Sequence, residues 1–167
     1  MSAVFLCGFM GCGKTKVGKL LAEALDEPFN DLDDYIVLKE GRSIPEIFMD
    51  SGEPYFRRAE AACIGELSEN GGVIATGGGA MLNPETAALA RSRGNVVFLD
   101  VPFNVCYERI QGDTNRPLVM SNTREQLEAL YDRRKSVYAE HSTHTIPHRE
   151  TPEERVALIL ALLRRGF

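Results

Sequence analysis

The feature that most constrains the fold is a glycine-rich segment between a strand pattern and a helix pattern. Residues 3–7 read AVFLC, a short apolar run typical of a buried strand, and residues 8–15 follow as GFMGCGKT. Residues 14–26 (KTKVGKLLAEALD) then repeat apolar side chains at helical spacing. A strand that enters a helix through a tight turn is the unit from which parallel α/β sheets are built.

The same segment matches the pattern Gly-x-x-x-x-Gly-Lys-Thr, which binds nucleotide phosphates. Its glycines allow consecutive backbone N–H groups to point inward, and the start of the following helix adds the positive end of its dipole. Lys14 can reach the β- and γ-phosphates, and the Thr15 hydroxyl can bind Mg²⁺. The alternative is an ordinary glycine turn with a surface Lys-Thr, but the agreement of strand, motif and helix favours nucleotide binding. Cys12 is interpreted as a small residue that fills the turn.

Strand and helix patterns continue to alternate to the end of the chain. Further strands are predicted at residues 29–32, 73–76, 96–100 and 143–147. Further helices are predicted at residues 43–48, 53–69, 84–93, 103–110, 124–138 and 152–165. This alternation predicts an α/β fold with a parallel sheet covered by helices on both faces. With 167 residues and no linker or repeat, the chain is expected to form one domain over residues 1–167.

Composition and charge argue against several function classes. The 19 Lys and Arg residues against 24 Asp and Glu give a net charge of -5, whereas nucleic-acid binding would favour a basic surface. No apolar run approaches the roughly 18–20 residues that cross a bilayer, and the N-terminus lacks the basic region of a signal peptide. Four cysteines without CxxC spacing fit reduced thiols in the cytoplasm. We therefore expect a cytoplasmic protein with no nucleic-acid or membrane partner. A monomer is also expected, since no apolar interface stripe stands out.

Two acidic residues follow the second predicted strand. The run Asp31-Leu32-Asp33 ends that strand, and alternation along an extended segment would put both carboxylates on one side. In open α/β sheets the carboxyl ends of the strands line the ligand crevice. One acid could then bind a metal ion while the other binds or deprotonates an acceptor hydroxyl. The alternative is a solvated acidic turn.

Two further segments carry arginines suited to a phosphoryl-transfer site. Arg57, in the helix pattern FRRAE, follows Phe56 at the edge of the apolar face, and Glu60 could orient it. An exposed ion pair is the alternative. Residues 111–123 (QGDTNRPLVMSNT) lack periodicity and predict a loop. Arg116 in this loop could neutralise charge during transfer if the loop closes as a lid, whereas an ordinary long surface loop is the alternative.

These features favour a small-molecule kinase over a regulatory nucleotide binder. GTPase-type switches carry an NKxD motif that reads guanine, and the sequence has none. His141, His144 and His148 have a tempting spacing for a metal ion. However, Pro147 breaks any helix there and no cysteine or carboxylate completes a ligand set, so we expect no metal site from these histidines.

Taken together, the motifs resemble the shikimate kinase family over essentially the whole chain. The following stretches occur in that family's order: GFMGCGKT, DLDD, GRSIPEIFMDSGEPYFRRAE, TGGGA and NRPL. The first is common to many kinases, whereas GRSIPEIF followed by GEPYFRRAE and the triple glycine is far more specific. The resemblance implies a three-layer α/β/α fold of the P-loop NTPase type, with a five-stranded parallel sheet in the order 2-3-1-4-5. It also implies transfer of the γ-phosphoryl group of ATP to the 3-hydroxyl of shikimate, giving shikimate 3-phosphate and ADP, a step of aromatic amino acid biosynthesis.

The resemblance implies roles for residues on the nucleotide side. The ATP phosphates would be held by Gly8, Gly11, Cys12, Gly13, Lys14 and Thr15. Mg²⁺ would be bound by the Thr15 hydroxyl and supported by Asp31 through water. Arg109 would flank the adenine, and Arg116 would be the arginine of a lid over residues 111–123. The catalytic residues would be Lys14, Asp33 and Arg116.

The resemblance also implies a shikimate site, much of it within a substrate-binding segment over residues 33–60. Its residues would be Asp33, Phe48, Phe56, Arg57, Gly78, Gly79 and Arg134. Asp33 would bind ring hydroxyls and act as general base. Arg57 and Arg134 would clamp the substrate carboxylate, because the planar guanidinium suits that task better than an ammonium group. Glu60 would support the arginine.

The arginines and the substrate leave alternatives open. Arg58 and Arg133 are the neighbouring alternatives to Arg57 and Arg134. A gluconate-type small-metabolite kinase would share the phosphate-binding segment and the acidic strand end. A non-catalytic P-loop nucleotide-binding regulator would share only the phosphate-binding segment.

Overall fold

A computed structural model of the chain describes residues 1–114 and 116–165. Residue 115, inside the expected lid, and residues 166–167, at the end of the expected domain, lie outside the described residues. The strands are β1 (Ala3–Cys7), β2 (Phe29–Asp31), β3 (Val73–Ala75), β4 (Gly94–Asp100) and β5 (His144–Pro147). The helices are α1 (Lys14–Leu25), α2 (Leu32–Glu40), α3 (Ile44–Ser68), α4 (Pro84–Arg93), α5 (Phe103–Ile110), α6 (Pro117–Ser121), α7 (Arg124–His141) and α8 (Pro152–Arg165).

The described strands form one parallel sheet of five strands in the order β2-β3-β1-β4-β5. β1 is central and pairs with β3 on one side and with β4 on the other. β2 extends the sheet beyond β3, and β5 extends it beyond β4. The strand order and the three-layer α/β/α fold expected from the resemblance are therefore confirmed.

Helices cover both faces of the sheet, and the alternation of side chains along β1 supplies both cores. Val4 and Leu6 belong to a cluster that includes side chains of α1, α5 and α8. Ala3, Phe5 and Cys7 belong to a second cluster with side chains of α2, α3 and α4. All five side chains of β1 are buried, as expected for a central parallel strand.

The predicted bounds of α4, α5 and α8 are confirmed. At the start of α8, the Thr151 hydroxyl accepts a hydrogen bond from the Glu154 N–H at 3.2 Å. The Thr151 N–H donates in return to the Glu154 carboxylate at 3.1 Å. This reciprocal pair satisfies two N–H groups that the helix itself leaves without partners. No helix in the described part of the chain is both long and apolar enough to cross a membrane.

The sequence-based prediction lacks α2, and this helix corrects the expectation for the acid pair. β2 ends at Asp31 and α2 begins at the next residue, so Asp31 and Asp33 do not lie along one extended segment. Asp31 is instead the N-cap residue, and its Oδ1 accepts a hydrogen bond from the Asp34 N–H at 3.1 Å. The acidic first turn also suits the positive end of the helix dipole. These local effects outweigh the strand pattern of the preceding residues.

α3 joins the helices predicted separately over residues 43–48 and 53–69. It bends at Gly52, whose φ of 82° and ψ of 169° are not helical. Only glycine reaches this region of φ and ψ without considerable strain. Ser43 caps the start of the element, because its hydroxyl accepts a hydrogen bond from the Glu46 N–H at 3.3 Å.

The order of the strands brings three connecting segments to one edge of the sheet. β2, β3 and β1 are parallel neighbours, so the residues that follow them emerge side by side at the carboxyl edge. These are the first turn of α2, the stretch TGGG at residues 76–79 and the loop at residues 8–13. Any site built from them lies where open α/β sheets bind their ligands.

Candidate active site

The segment between β1 and α1 forms a tight loop, called the phosphate loop below (residues 8–13). Gly8, Gly11 and Gly13 have φ values of 148°, 79° and 93°, in the range that favours glycine. A Cβ at Gly8 would lie 2.8 Å from the Cys12 sulfur. Cys12 is only 1% exposed, so it fills the inside of the turn.

Lys14 and Thr15 begin α1 directly after this loop. The Lys14 Nζ donates to the Gly8 carbonyl oxygen at 2.6 Å, and the Phe9 carbonyl oxygen lies at 3.4 Å. The ammonium group therefore lies across the loop. Gly13, the N-cap residue of α1, has no side chain to cap the first N–H groups, which leaves them and the helix dipole available to an anion.

A cavity of about 510 Å³ lies at the carboxyl edge of the sheet. It is lined by these expected site residues: Gly11, Gly13, Lys14, Thr15, Asp31, Asp33, Gly78, Arg109 and Arg116. The structure thus brings the phosphate loop, both acids and a glycine after β3 into one space. A second cavity, of about 310 Å³ and more apolar, lies at the opposite edge beside Met1, Val4 and Leu25.

Asp33 lies in the first turn of α2 and faces the residues that follow β3. A Cβ at Gly77 would be 2.8 Å from its Oδ1, so this contact requires glycine. Burial, and to a smaller extent Asp31, raise the pKa of the Asp33 carboxyl above its usual value, while Lys14 and Arg57 act in the opposite direction. A carboxylate of this kind can take a proton from a hydroxyl group. Gly77 is a contact that the sequence analysis missed, although it begins the triple glycine.

Arg57 is held by a buried carboxylate. Its Nη1 donates to the Glu60 Oε1 at 2.9 Å, and Glu60 is 1% exposed. Burial raises the pKa of Glu60, and the Arg57 charge opposes that rise. A Cβ at Gly79 would lie 2.5 Å from the Arg57 Nη2, so the guanidinium occupies space that only glycine leaves free. Arg58 is exposed, and the pair of Arg57 with Glu60 is not the exposed ion pair considered as an alternative.

Arg134 lies beside the adjacent glycine, Gly78. A Cβ at Gly78 would be 3.2 Å from the Arg134 Nη1. Tyr138, one helical turn later, donates its hydroxyl to the Gly78 carbonyl oxygen. Burial raises the pKa of Tyr138 above its usual value, so this hydroxyl keeps its proton. The guanidinium groups of Arg134 and Arg57 thus lie against the neighbouring glycines Gly78 and Gly79, whereas Arg133 is exposed.

The bend in α3 brings two aromatic rings together. The ring centroids of Phe48 and Phe56 are 4.8 Å apart. In a straight helix, eight residues would separate them by about 12 Å along the axis. The non-helical Gly52 lies between them and allows the contact. Arg57 also lies over the Phe56 ring, with its guanidinium carbon 5.3 Å from the ring centroid.

The expected lid is not entirely a loop. Residues 117–121 form α6, so the prediction of an irregular segment is wrong there. A proline at the first helical position favours this short helix. Arg116 precedes it, and its Nε lies 3.0 Å from an Asp113 carboxylate oxygen. Arg109 is exposed, and its Nη1 donates to the Gly11 carbonyl oxygen at 2.8 Å.

Arg155, in α8, is a further contact of the phosphate loop that the sequence analysis missed. It is 2% exposed, and its Nη1 donates to the Cys12 carbonyl oxygen at 2.7 Å. The sequence does contain a signal, since Arg155 precedes the buried Ile159 by one helical turn and so takes an inward position of α8.

The oxygen atoms near the phosphate loop suit a hard divalent cation such as Mg²⁺. Thr15 offers a hydroxyl, and Asp31 offers the carboxylate oxygen that does not cap α2. Mg²⁺ in kinases is usually held by one or two such groups together with substrate phosphates. Within residues 1–114 and 116–165, no group of three or more His, Cys, Asp and Glu side chains is placed to hold a metal ion by itself.

Comparison with known proteins identifies close relatives over nearly the full chain. A family model described as shikimate kinase matches residues 10–164. The shikimate kinase of Persephonella marina is 38% identical over 165 residues, covering 98% of this chain and 100% of that protein. The solved structure of a shikimate kinase from Acinetobacter baumannii in complex with shikimate is 36% identical, with a TM-score of 0.89. That match covers 99% of this chain and 94% of the other.

A solved gluconokinase structure allows the alternative function, a gluconate-type kinase, to be compared with the first. The gluconokinase from Sinorhizobium meliloti 1021 has a TM-score of 0.60 and 26% identity, covering 98% of this chain and 92% of the other. The chain is thus less similar to this gluconokinase, in fold and in sequence, than to the shikimate kinase from Acinetobacter baumannii.

Proposed function

The chain belongs to the shikimate kinase family, and we propose that the residues around its carboxyl-edge cavity divide the work of that reaction. The enzyme transfers the γ-phosphoryl group of ATP to the 3-hydroxyl of shikimate, giving shikimate 3-phosphate and ADP. The observation that carries the division of roles is the single cavity in which the phosphate loop, Asp33 and Gly78 meet. A donor phosphate and an acceptor hydroxyl can be held there side by side, and such positioning supplies much of the rate in phosphoryl transfer.

The phosphate loop binds ATP through its backbone and through Lys14. The N–H groups of Gly8, Gly11 and Gly13 and the start of α1 bind the negative phosphate oxygens. The Cys12 N–H already donates to the Phe9 carbonyl oxygen at 3.1 Å, so Cys12 contributes by holding the shape of the loop. Lys14 exchanges its bonds to the Gly8 and Phe9 carbonyl oxygens for phosphate oxygens. Its charge then offsets the charge that develops on the transferred group.

Thr15 and Asp31 are the residues that would hold Mg²⁺ with the ATP phosphates. Thr15 would bind through its hydroxyl, and Asp31 through water. When bound, Mg²⁺ supplies positive charge that offsets the negative charge of the β- and γ-phosphates. Asp31 has a second task that needs no metal, since it fixes the start of α2 and therefore the position of Asp33.

Asp33 is the general base. Its half-buried carboxylate accepts the proton of the shikimate 3-hydroxyl as that oxygen attacks the γ-phosphorus. The raised pKa makes the carboxylate a better proton acceptor than an exposed aspartate. Gly77 keeps the space beside this carboxylate free of side-chain atoms.

Arg57 and Arg134 bind the carboxylate of shikimate. Each guanidinium lies against a glycine of the stretch after β3. A planar guanidinium from each side chain can then bind the same planar carboxylate. Glu60 fixes the orientation of Arg57. Gly78 and Gly79 allow close approach of the substrate and the arginines. Phe48 and Phe56 contribute an apolar wall on the substrate-binding segment over residues 33–60.

Residues 111–123 act as a lid that carries Arg116 over the transferred phosphoryl group. Arg116 already lines the cavity while paired with Asp113. A closed lid excludes water, which would otherwise accept the phosphoryl group. Arg109 lies against the Gly11 carbonyl at the loop and flanks the adenine. The lid and the substrate-binding segment are parts of one kinase domain over residues 1–167.

The setting proposed for the enzyme is the cytoplasm, as a monomer. All four cysteines are free and buried, which suits a compartment that keeps thiols reduced. The acidic net charge of -5 favours small-molecule substrates over nucleic-acid partners. Size-exclusion chromatography with light scattering tests the monomer, which has a mass of 18.5 kDa.

A coupled ADP-release assay with shikimate, gluconate and nucleoside monophosphates tests the function. Of these acceptors, only shikimate should cause ADP release from ATP. Mass spectrometry should identify shikimate 3-phosphate as the product. Lys14→Ala, purified in parallel, controls for contaminating kinases and should release no ADP. Turnover of gluconate without turnover of shikimate would support the gluconate-type kinase instead. ATP hydrolysis that ignores every acceptor would point to a regulatory nucleotide binder.

A further inference from the structure

Arg155 is a buried arginine that these roles leave unused. Its Nη1 donates to the Cys12 carbonyl oxygen at 2.7 Å, across 143 positions of sequence. Its Nη2 lies 3.0 Å from the place that a Cβ of Gly13 would occupy. The guanidinium is 2% exposed, so it packs behind the phosphate loop and not in open solvent.

Arg155 forms no ion pair with any carboxylate among residues 1–114 and 116–165. Its Nε is buried there without a hydrogen-bond partner. Burial, and after it the like charge of Arg109, lower the pKa of the Arg155 guanidinium, which nevertheless stays protonated at neutral pH. A buried charge without a counter-charge costs stability. A group of opposite charge near the loop would offset that cost.

The bond to Arg155 sets the orientation of one peptide group in the loop. No cis peptide bond occurs in the described residues, and in a trans peptide the C=O and the N–H point in opposite directions. Because Arg155 holds the Cys12 carbonyl toward α8, the N–H of Gly13 points away from α8. Gly13 lines the cavity whereas Arg155 does not, so the side away from Arg155 is the side on which phosphates would lie.

We propose that Arg155 is a positioning residue for ATP, which turns the Gly13 N–H toward the phosphates and adds buried positive charge behind them. This inference rests on the proposed use of the loop for ATP phosphates. Arg109 binds the preceding carbonyl, that of Gly11, so two arginines fix successive carbonyls of the loop. Arg155 therefore contributes to binding of the nucleotide phosphates and not to binding of shikimate.

The test compares Arg155→Met, which keeps similar length but removes charge and donors, with Arg155→Lys, which keeps the charge. Arg164→Met is the matched control, because it removes an exposed charge from the same helix. The Kd values of ADP and of shikimate are measured by calorimetry, together with inhibition by adenosine, which has no phosphate. Steady-state kinetics gives the KM of each substrate.

We expect Arg155→Met to weaken ADP binding by about tenfold, the usual effect of losing a charge-assisted hydrogen bond. Adenosine inhibition, the Kd of shikimate and the properties of Arg164→Met should stay at wild-type values. Arg155→Lys should recover part of the ADP affinity, and it carries the test if Arg155→Met does not fold. Wild-type ADP affinity in folded Arg155→Met would overturn the proposal, as would wild-type affinity in Arg155→Lys if that is the only variant that folds. Equal weakening of ADP, adenosine and shikimate would also overturn it, since that result indicates a purely structural role. Failure of the proposed function can be distinguished from failure of this inference. In that case the wild-type enzyme itself would not phosphorylate shikimate, whatever the ADP affinities of the variants.

Discussion

Arg57 and Lys14 are both cations, but they contact different parts of the site. Arg57 lies against Glu60 and Gly79, whereas the Lys14 Nζ lies across the phosphate loop. Arg57→Ala should raise the KM for shikimate by at least about tenfold, because charge-assisted bonds to its carboxylate are lost. Lys14→Ala should instead lower kcat by about a hundredfold or more. Steady-state kinetics with each substrate varied in turn distinguishes the two effects.

Arg58 provides the control for Arg57. It is adjacent in sequence but exposed, so Arg58→Ala should leave both KM values and kcat unchanged. If Arg57→Ala bound shikimate as tightly as the wild type, another group would have to bind the substrate carboxylate.

Asp33 has a catalytic position and a raised pKa. The kcat of a variant tests its position, and the pH dependence of kcat/KM tests its pKa. Asp33→Asn keeps the shape but cannot accept a proton, so kcat should fall by about 10²- to 10⁴-fold. The acid limb of kcat/KM in the wild type should lie above pH 3.8, the ordinary value for an aspartate, because burial raises the pKa. An acid limb at or below that pH would mean that another group is the base.

The same carboxyl should make the stability depend on pH in a defined direction. Its folded-state pKa is raised from 3.8, so the folded protein binds the proton more readily than the unfolded chain. Stability is therefore lost as pH rises through the range above 3.8. Asp33→Asn removes this loss, so its Tm should exceed that of the wild type at pH 7 and approach it as pH falls toward 3.8. Asp132→Asn, at an exposed position of α7, serves as the control in the thermal melts.

At the scale of elements, the bend in α3 is the feature that most directly shapes the substrate side. Gly52 has a φ of 82° and a ψ of 169°, and Ala there should cost about 1–3 kcal/mol of stability. Because the bend brings Phe48 to Phe56, Gly52→Ala should also raise the KM for shikimate while that for ATP changes little. Thermal unfolding and steady-state kinetics measure the two effects.

Gly65 is a matched control within the same helix. A Cβ there would meet no atom within 4 Å, so Gly65→Ala should stabilise the protein by about 0.5–1 kcal/mol through helix propensity. Its kinetics should be those of the wild type. An equal effect of both substitutions on shikimate binding would show that the bend does not shape the site.

The elements also show what the sequence could predict. α4, α5 and α8 have predictable bounds because proline, capping residues and periodicity agree at their ends. α2 was not predictable from periodicity, since its capping acid also ends β2 and its nine residues carry little pattern. Within the site, the phosphate loop is one contiguous motif and could be assigned to phosphate binding. The Arg155 contact joins residues 143 positions apart, and spacing alone does not predict such a pairing.

At the scale of the whole molecule, two cavities lie at opposite edges of the sheet. The proposed site lies at the carboxyl edge, and the apolar cavity beside Met1 and Leu25 lies at the other. Leu160 of α8 lines that second cavity and packs against the core that contains β1 side chains. Substitutions there change packing at the far end of α1 and α8, while the contacts of Lys14 and Arg155 with the loop lie at the near end.

Leu160→Ala should therefore lower stability without changing the reaction. Leu160 is only partly buried, so we expect a loss of about 1–2 kcal/mol, below the 2–5 kcal/mol typical of fully buried leucines. Chemical denaturation measures that loss, and kinetics well below the new Tm should give wild-type kcat and KM values for both substrates. A changed KM for ATP would show that packing at the amino edge is transmitted along α1 or α8 to the phosphate loop. Unchanged kinetics in a destabilised variant would mean that the sheet isolates the site from the packing of its opposite edge.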